Sequence, residues 1–157
     1  MLMYAQRPDV GVVSANIWDN KGQSYFAGGV LDQDSLTGIH VINKGMDKAD
    51  QGYEANMRHV RNTTTASGIC MMVPERTFEK IGDFSTEMQD CADIDLCLRS
   101  REKGLWNVWA CFADVAYAGD NTAEDYWKQC DLFKKKWKET IEAGDEFYHP
   151  CLLYTSP

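Results

Sequence analysis

Hydrophobic and polar positions follow two different rhythms along this chain. The sharpest stretch is Cys91-Ala92-Asp93-Ile94-Asp95-Leu96-Cys97-Leu98-Arg99-Ser100-Arg101-Glu102-Lys103-Gly104. Ile94, Cys97 and Leu98 fall at i, i+3 and i+4, the spacing that lays one apolar stripe along a helix. Asp90 stands at the N-cap position and Gly104 supplies a C-terminal stop. A second helical rhythm covers residues 124–142, where Tyr126, Trp127, Cys130, Phe133, Trp137 and Ile141 recur every three or four positions. That regular spacing predicts a broad aromatic face packed into a core, closed by Gly144. A shorter helix runs from Glu75 to Ile81, begun by Pro74 and stopped by Gly82. Met1 to Arg7 reads as the last turns of a helix closed by Pro8-Asp9. A domain that opens in mid-helix is expected to be an incomplete chain.

Between the helices the rhythm changes. Val10 to Ile17 is an almost continuous apolar run, which predicts a buried strand. Asp19-Asn20-Lys21-Gly22 is a turn signal, and Gln23 to Leu31 reads as extended, ending in Ala27-Gly28-Gly29-Val30-Leu31. Adjacent glycines serve either turn geometry or a close approach of backbone to ligand. Residues 32–62 are polar and show no sustained period. Thr63 to Val73 reads as one strand, β-branched first and apolar after. Trp106 to Ala110 and Val115 to Tyr117 read as two short strands. Strands alternating with helices predict an α/β fold, with ligands beyond the carboxyl ends of the strands. Ser67, Gly68 and Asp93 are thereby expected around one cleft.

Length fits one domain: 157 residues bury about 68–70% of the unfolded surface. No apolar run reaches the roughly 20 residues of a membrane span, and no charged start with an apolar h-region marks a signal peptide, so the expected location is cytoplasmic. The net charge of −8 argues against non-specific nucleic-acid binding. The basic cluster Lys134-Lys135-Lys136 with Lys138 is read as a solvated helix face. Six cysteines form no Cys-x-x-Cys pair and no close Cys/His spacing, so they are expected to be reduced thiols, several of them in the core.

The chemistry centres on carboxylates. Asp93 and Asp95 stand at i and i+2, which do not face each other on a helix, so they cannot act jointly as a glycosidase pair does. Asp95 has Arg99 at i+4, an exposed pair worth roughly 0.3–0.5 kcal/mol. Asp93, three residues after Asp90, has a capping role as its plain alternative. His40 and His59 are loop histidines with no ligand set around them in the sequence, and no residue is assigned to a metal.

The chain resembles the second half of a family 2 glycosyltransferase of the GT-A fold, in the bacterial subgroup that builds rhamnan and other cell-surface polysaccharides. The matching stretches are Pro8-Asp9-Val10-Gly11-Val12-Val13; Gly22 with Ala27-Gly28-Gly29-Val30-Leu31; and Gly38-Ile39-His40. Ala66-Ser67-Gly68-Ile69-Cys70-Met71-Met72-Val73 and Phe78-Glu79-Lys80-Ile81-Gly82-Asp83-Phe84 follow. Strongest is Ala92-Asp93-Ile94-Asp95-Leu96-Cys97-Leu98-Arg99 with Glu102-Lys103-Gly104, and Phe147-Tyr148-His149-Pro150 is similar to the family's Tyr-Asn-Pro ending.

The resemblance implies a partial GT-A fold, a mixed sheet flanked by helices, lacking the N-terminal nucleotide-binding half. Residues 1–150 would be the acceptor-side portion, and 151–157 a tail that departs from the family. It implies inverting transfer of a sugar from a nucleotide-sugar donor to a glycan or lipid-linked acceptor. Asp93 would be the general base, and Ser67, Gly68, Gly28, Gly29, His40 and Asp95 would be substrate-side residues. A divalent cation, Mg or Mn, is expected for the full-length enzyme, whose Asp-x-Asp ligands belong before residue 1. Many relatives carry a histidine where this chain has Ala118, with Asp120 as the nearest acidic substitute. Peripheral association with the inner face of the plasma membrane is expected of the intact enzyme. The rival expectation is a non-catalytic glycan- or protein-binding module of the same fold, reading its partner through residues 32–62.

Overall fold

The computed structural model describes residues 1–119 and 130–149. Its centre is strand β1 (Val10–Trp18), buried at all nine positions. An unbroken buried run is what a strand covered on both faces requires. β1 runs parallel to the long strand Trp106–Ala116, and its other edge takes β2 (Ser24–Phe26) and the two-residue strand Met71–Met72, both antiparallel. Arg61–Asn62 closes the far side of the long strand, completing a curled, mixed, five-stranded sheet. A separate hairpin pairs β3 (Gly29–Leu31) with β4 (Ile39–Val41). In chain order the later strands are β5 (Arg61–Asn62), β6 (Met71–Met72) and β7 (Trp106–Ala116).

Helices flank this sheet: α1 (Leu2–Ala5), α2 (Glu75–Ile81), α3 (Ala92–Glu102), α4 (Asp131–Lys136) and α5 (Lys138–Glu142). The largest core cluster joins Ala15 and Ile17 of β1 to Ile94 and Leu98 of α3 and to Phe133, Trp137 and Ile141. The expected aromatic face is therefore core packing over its described part, although Trp137 (φ −100°, ψ 17°) breaks the helix in two. Tyr126 and Trp127 lie outside the described residues, as do Asp120 and the tail after His149. No helix among the described residues is long and apolar enough to cross a membrane.

Gly11 sets how closely α3 sits on the sheet. A Cβ there would lie 2.0 Å from Ser100 Oγ and 2.9 Å from Leu105 Cβ. Helix and strand meet at a contact only a hydrogen can fill.

Several expectations are corrected. Residues 32–62 are not wholly irregular: they contain β4, a 3-10 segment at Tyr53–Arg58, and β5. Thr63 to Val73 is not one strand. Only Met71–Met72 is paired as a strand, and Thr65 makes a single bridge to Gly29. The two strands expected at 106–117 are one. Ala15 faces Ala110 while Asn16 faces Asp114, so residues 111–113 bulge out and Phe112 is 80% exposed. Asp90 is not the N-cap of α3; Cys91 is, without a side-chain hydrogen bond. Nor does α3 bury a single stripe, because residues 93–98 and Ser100 are all buried between sheet and neighbouring helices.

The cysteine expectation fails at one pair. Cys91 and Cys130 form a disulfide, with Cα atoms 5.9 Å apart, where the start of α4 packs on the 3-10 turn Thr86–Cys91. That proximity is tertiary and leaves no local spacing to read. Cys70, Cys97 and Cys111 are free thiols, as expected.

Candidate functional site

The stretch from Thr63 to Gly68 positions the candidate residues, and it does so without being a regular strand. At its start Thr63 N–H donates to Asn107 O (2.9 Å), and Thr65 N–H donates to Gly29 O (3.0 Å). Asn107 Nδ2 then ties two backbones together, donating to Thr64 O and to Cys97 O, each at 2.9 Å. Ala66 N–H points at Cys97 Sγ (3.3 Å), and Gly68 N–H donates to Asp93 Oδ2 at 2.7 Å. The β-branched run thus holds on to β3 at one end and to α3 at the other.

At the α3 end the expected group assembles. Asp93 sits in the first turn, where the positive end of the helix dipole favours a carboxylate. Its Oδ1 also accepts the Ile94 N–H (2.8 Å). Ser67 Oγ accepts the Ile69 N–H at 3.3 Å, shaping the turn that presents Gly68. Gly68 is exposed beside it, whereas Asp93 itself is 5% exposed. Burial pushes the thiol of Cys97, one helical turn on, well above its ordinary range, and the charge of Asp93 adds to that push.

Gly28, Gly29 and His40 are not part of this group. A Cβ on Gly29 would lie 2.2 Å from Thr65 Oγ1, and one on Gly28 would lie 2.9 Å from Thr63 Oγ1, at a backbone φ of +96°. Packing against the threonine run explains both glycines. His40 lies on β4 opposite Val30, at the far end of the Thr63–Gly68 segment from Asp93.

Asp95 turns away from Asp93 and is fully buried. It accepts hydrogen bonds from Lys136 Nζ (2.6 Å), Trp137 Nε1 (2.8 Å) and Arg99 Nε (2.8 Å). Burial alone would raise its carboxyl, but the bonds from Lys136, Trp137 and Arg99 outweigh that and hold it below the usual range. Arg99 goes on to Ile81 O (2.5 Å) and Asp83 O (2.9 Å), fixing α3 to the end of α2. The exposed i, i+4 pair read from the sequence is in fact a buried three-donor node, and Lys136 leaves the basic cluster to join it. Asp95 ties α3 to the break between α4 and α5 and, through Arg99, to the end of α2.

Other residues were invisible in the sequence because their partners are distant. Asp145, just past Gly144, accepts Leu31 N–H (2.7 Å) and Thr64 Oγ–H (2.6 Å), and so braces the same threonine run. Arg101 Nη2 contacts Glu146 at 2.5 Å, and its guanidinium lies over Trp106 (4.3 Å) and Phe147 (5.1 Å), anchoring the Phe147-Tyr148 ending to the domain. At the carboxyl ends of β1 and β7, Asp114 accepts from Asn16 (3.0 Å) and Trp18 (2.9 Å) and pairs with Lys48 (3.2 Å). Among the described residues no three His, Cys, Asp or Glu side chains converge as a metal-ligand set.

Fold and site together define a mixed α/β domain with a buried acidic group at the mouth of its central helix. Two curated proteins are similar to it over nearly its whole length. An uncharacterized protein, y4gI, of Sinorhizobium fredii is 28% identical over 97% of this chain. The O-antigen biosynthesis protein RfbC of Myxococcus xanthus is 26% identical over 99% of it. The chain spans only 18% and 12% of the lengths of these two relatives. No family model matches the chain, and no solved structure is significantly similar to it.

Proposed function

We propose that this chain is the acceptor-side portion of an inverting, nucleotide-sugar-dependent glycosyltransferase of the GT-A fold, working in cell-surface polysaccharide synthesis. The observation that carries the reading is the Asp93 carboxylate, set in the first turn of α3 and held by the Gly68 N–H at 2.7 Å. The similarity to an O-antigen biosynthesis protein supports the pathway.

In this reading Asp93 takes the proton from an acceptor hydroxyl. The hydroxyl oxygen bonds to the anomeric carbon from the face opposite the leaving group. The bond from that carbon to the diphosphate breaks, and the nucleoside diphosphate leaves with its electron pair. A general base must sit within hydrogen-bond reach of the hydroxyl, and the exposed backbone at Gly68 gives an acceptor a place to approach. The described residues do not by themselves make a cation site. A divalent cation would depend on carboxylates beyond the described residues; what the described residues supply is the base and its positioning.

The test is Asp93→Asn in the intact enzyme, which is expected to abolish transfer while leaving donor binding intact. Undiminished turnover overturns the assignment. One observation favours the second reading, a non-catalytic glycan- or protein-binding module: Asp93 is 5% exposed. Calorimetric binding of carbohydrate by this chain, independent of metal and nucleotide and unchanged by Asp93→Asn, is the result that supports the module instead.

A further inference from the structure

Away from Asp93, a cavity of about 320 Å³ opens between the 3-10 segment Tyr53–Arg58, β5 and the Phe147-Tyr148 ending; its walls include Tyr53, Glu54, His59, Arg61, Phe147 and Tyr148. That volume is at the lower end of small-molecule sites. None of its lining residues belongs to the Asp93 group.

Arg61 is the unusual member. Its Nη2 donates to Ala27 O, and its guanidinium lies over the indole of Trp109, 4.3 Å from the ring centroid. Those contacts hold the fork in place but do not neutralise it. Nη1 is buried with no hydrogen-bond partner, and no carboxylate among the described residues pairs with the group. Burial pushes Arg61 down to about 10, with Tyr148 and Cys111 pulling the other way, so it remains a cation at neutral pH. Arg61 is half-buried, and a charge partly taken out of water without a counter-ion is costly; an anion in the cavity would offset that cost. The 3-10 segment beside it is strained as well: Glu54, which lines the cavity, and the adjoining Ala55 both take left-handed backbone (φ 49° and 58°), a conformation that clusters at ligand clamps.

The geometry points to this cavity as a binding site for the anionic group of a charged sugar, a phosphate or a carboxylate, with Arg61 as its counter-ion and the tyrosines flanking the ring. A planar guanidinium that lines the cavity and has no carboxylate partner among the described residues matches either anion, and aromatic rings supply the apolar faces on which a sugar ring packs. This inference rests on the surroundings of Arg61 and not on the role of Asp93.

The experiment is NMR titration of the whole chain with glucose phosphate, glucuronate and glucose. Glucose phosphate, glucuronate or both are expected to bind at least tenfold more tightly than glucose, with shifts centred on Tyr53, His59, Arg61 and Tyr148. Phosphate alone, carboxylate alone, or both identify which anion the fork takes. Arg61→Lys keeps the charge and a donor for Ala27 O, and is expected to lose several-fold in anion affinity while glucose binding stays unchanged. Arg61→Met is expected to lose at least tenfold. Should Arg61→Met fail to fold, the wild-type titration and Arg61→Lys still decide the matter. Equal affinity for glucose and its phosphate, no binding of either anion at millimolar concentration, or shifts confined to another surface overturns the inference, whether or not Asp93→Asn is active.

Discussion

Gly68 N–H and Asp93 Oδ2 meet at 2.7 Å across 25 residues of sequence. The carboxylate at the mouth of α3 is therefore held by the end of the threonine run as well as by its own helix. That run is in turn fixed by Asn107, which bonds both Thr64 O and Cys97 O. Helix, loop and strand β7 form one connected frame around a single acidic group.

Removing the donor tests that frame. Gly68→Pro deletes the N–H and leaves a buried carboxylate oxygen without it, a loss expected to cost about 1–3 kcal/mol. Urea unfolding of the chain measures it. Ser67→Ala, which removes only the longer 3.3 Å contact to Ile69, should cost less. Equal effects of the two substitutions would show that the 2.7 Å bond does not position Asp93.

Gly11→Ala probes the closest helix-to-sheet contact. The added Cβ meets Ser100 Oγ at 2.0 Å, so the helix must shift, at an expected cost of about 1–3 kcal/mol. Ser100→Ala removes that oxygen, so the double variant should recover part of the loss, and non-additivity is the signature to look for. Recovery stays partial because Leu105 Cβ still lies 2.9 Å away.

The same residues show what was legible in the sequence and what was not. β1 follows from its continuous apolar run, α2 from Pro74 and Gly82, and the buried face of α4 and α5 from helical spacing; α3 is legible as a helix, but the stripe read on it understates a burial that takes in residues 93–98 and Ser100. The grouping of Ser67, Gly68 and Asp93 followed from placing ligands at strand ends. Of the partners of Asp95 only Arg99 is legible in the sequence, since Lys136 and Trp137 reach it from some 40 residues away and leave no local trace. Gly28 and Gly29 looked like ligand contacts because a glycine pair reads the same whether a substrate or a threonine fills the space. Arg61 carried no signal at all: beside a β-branched run it is one more polar residue until Trp109 and the cavity surround it.

The Cys91–Cys130 disulfide closes a loop of sequence separation 39. In the chain-entropy account a loop of that size contributes about 4 kcal/mol, within an observed range of about 0–5. Peptide mapping of the unreduced chain should recover Cys91 and Cys130 as a linked pair. Dithiothreitol should lower the denaturation midpoint, and Cys130→Ser should abolish that sensitivity. A midpoint unmoved by reductant would show that packing of Phe133 and Trp137 alone holds α4 against the 3-10 turn.

Asp95 gives the clearest pH dependence. Burial raises its carboxyl and the bonds from Lys136, Trp137 and Arg99 lower it by more, so its folded pKa lies below the unfolded value of about 3.9. The unfolded chain then binds this proton more readily, and stability rises with pH across that interval. The contribution is fully present above about pH 4 and is lost as pH falls through the folded pKa. Asp95→Ala should cost about 3–5 kcal/mol near neutrality, because it strands two cations at a buried node. The partial exposure of Lys136 and Arg99, at 38% and 17%, places the expected cost at the lower end. Denaturant unfolding from pH 2 to 7 should show a shallower acid limb in the variant than in the wild type. Equal limbs would mean that the node is already solvated, and that α3 keeps Asp93 in place without it.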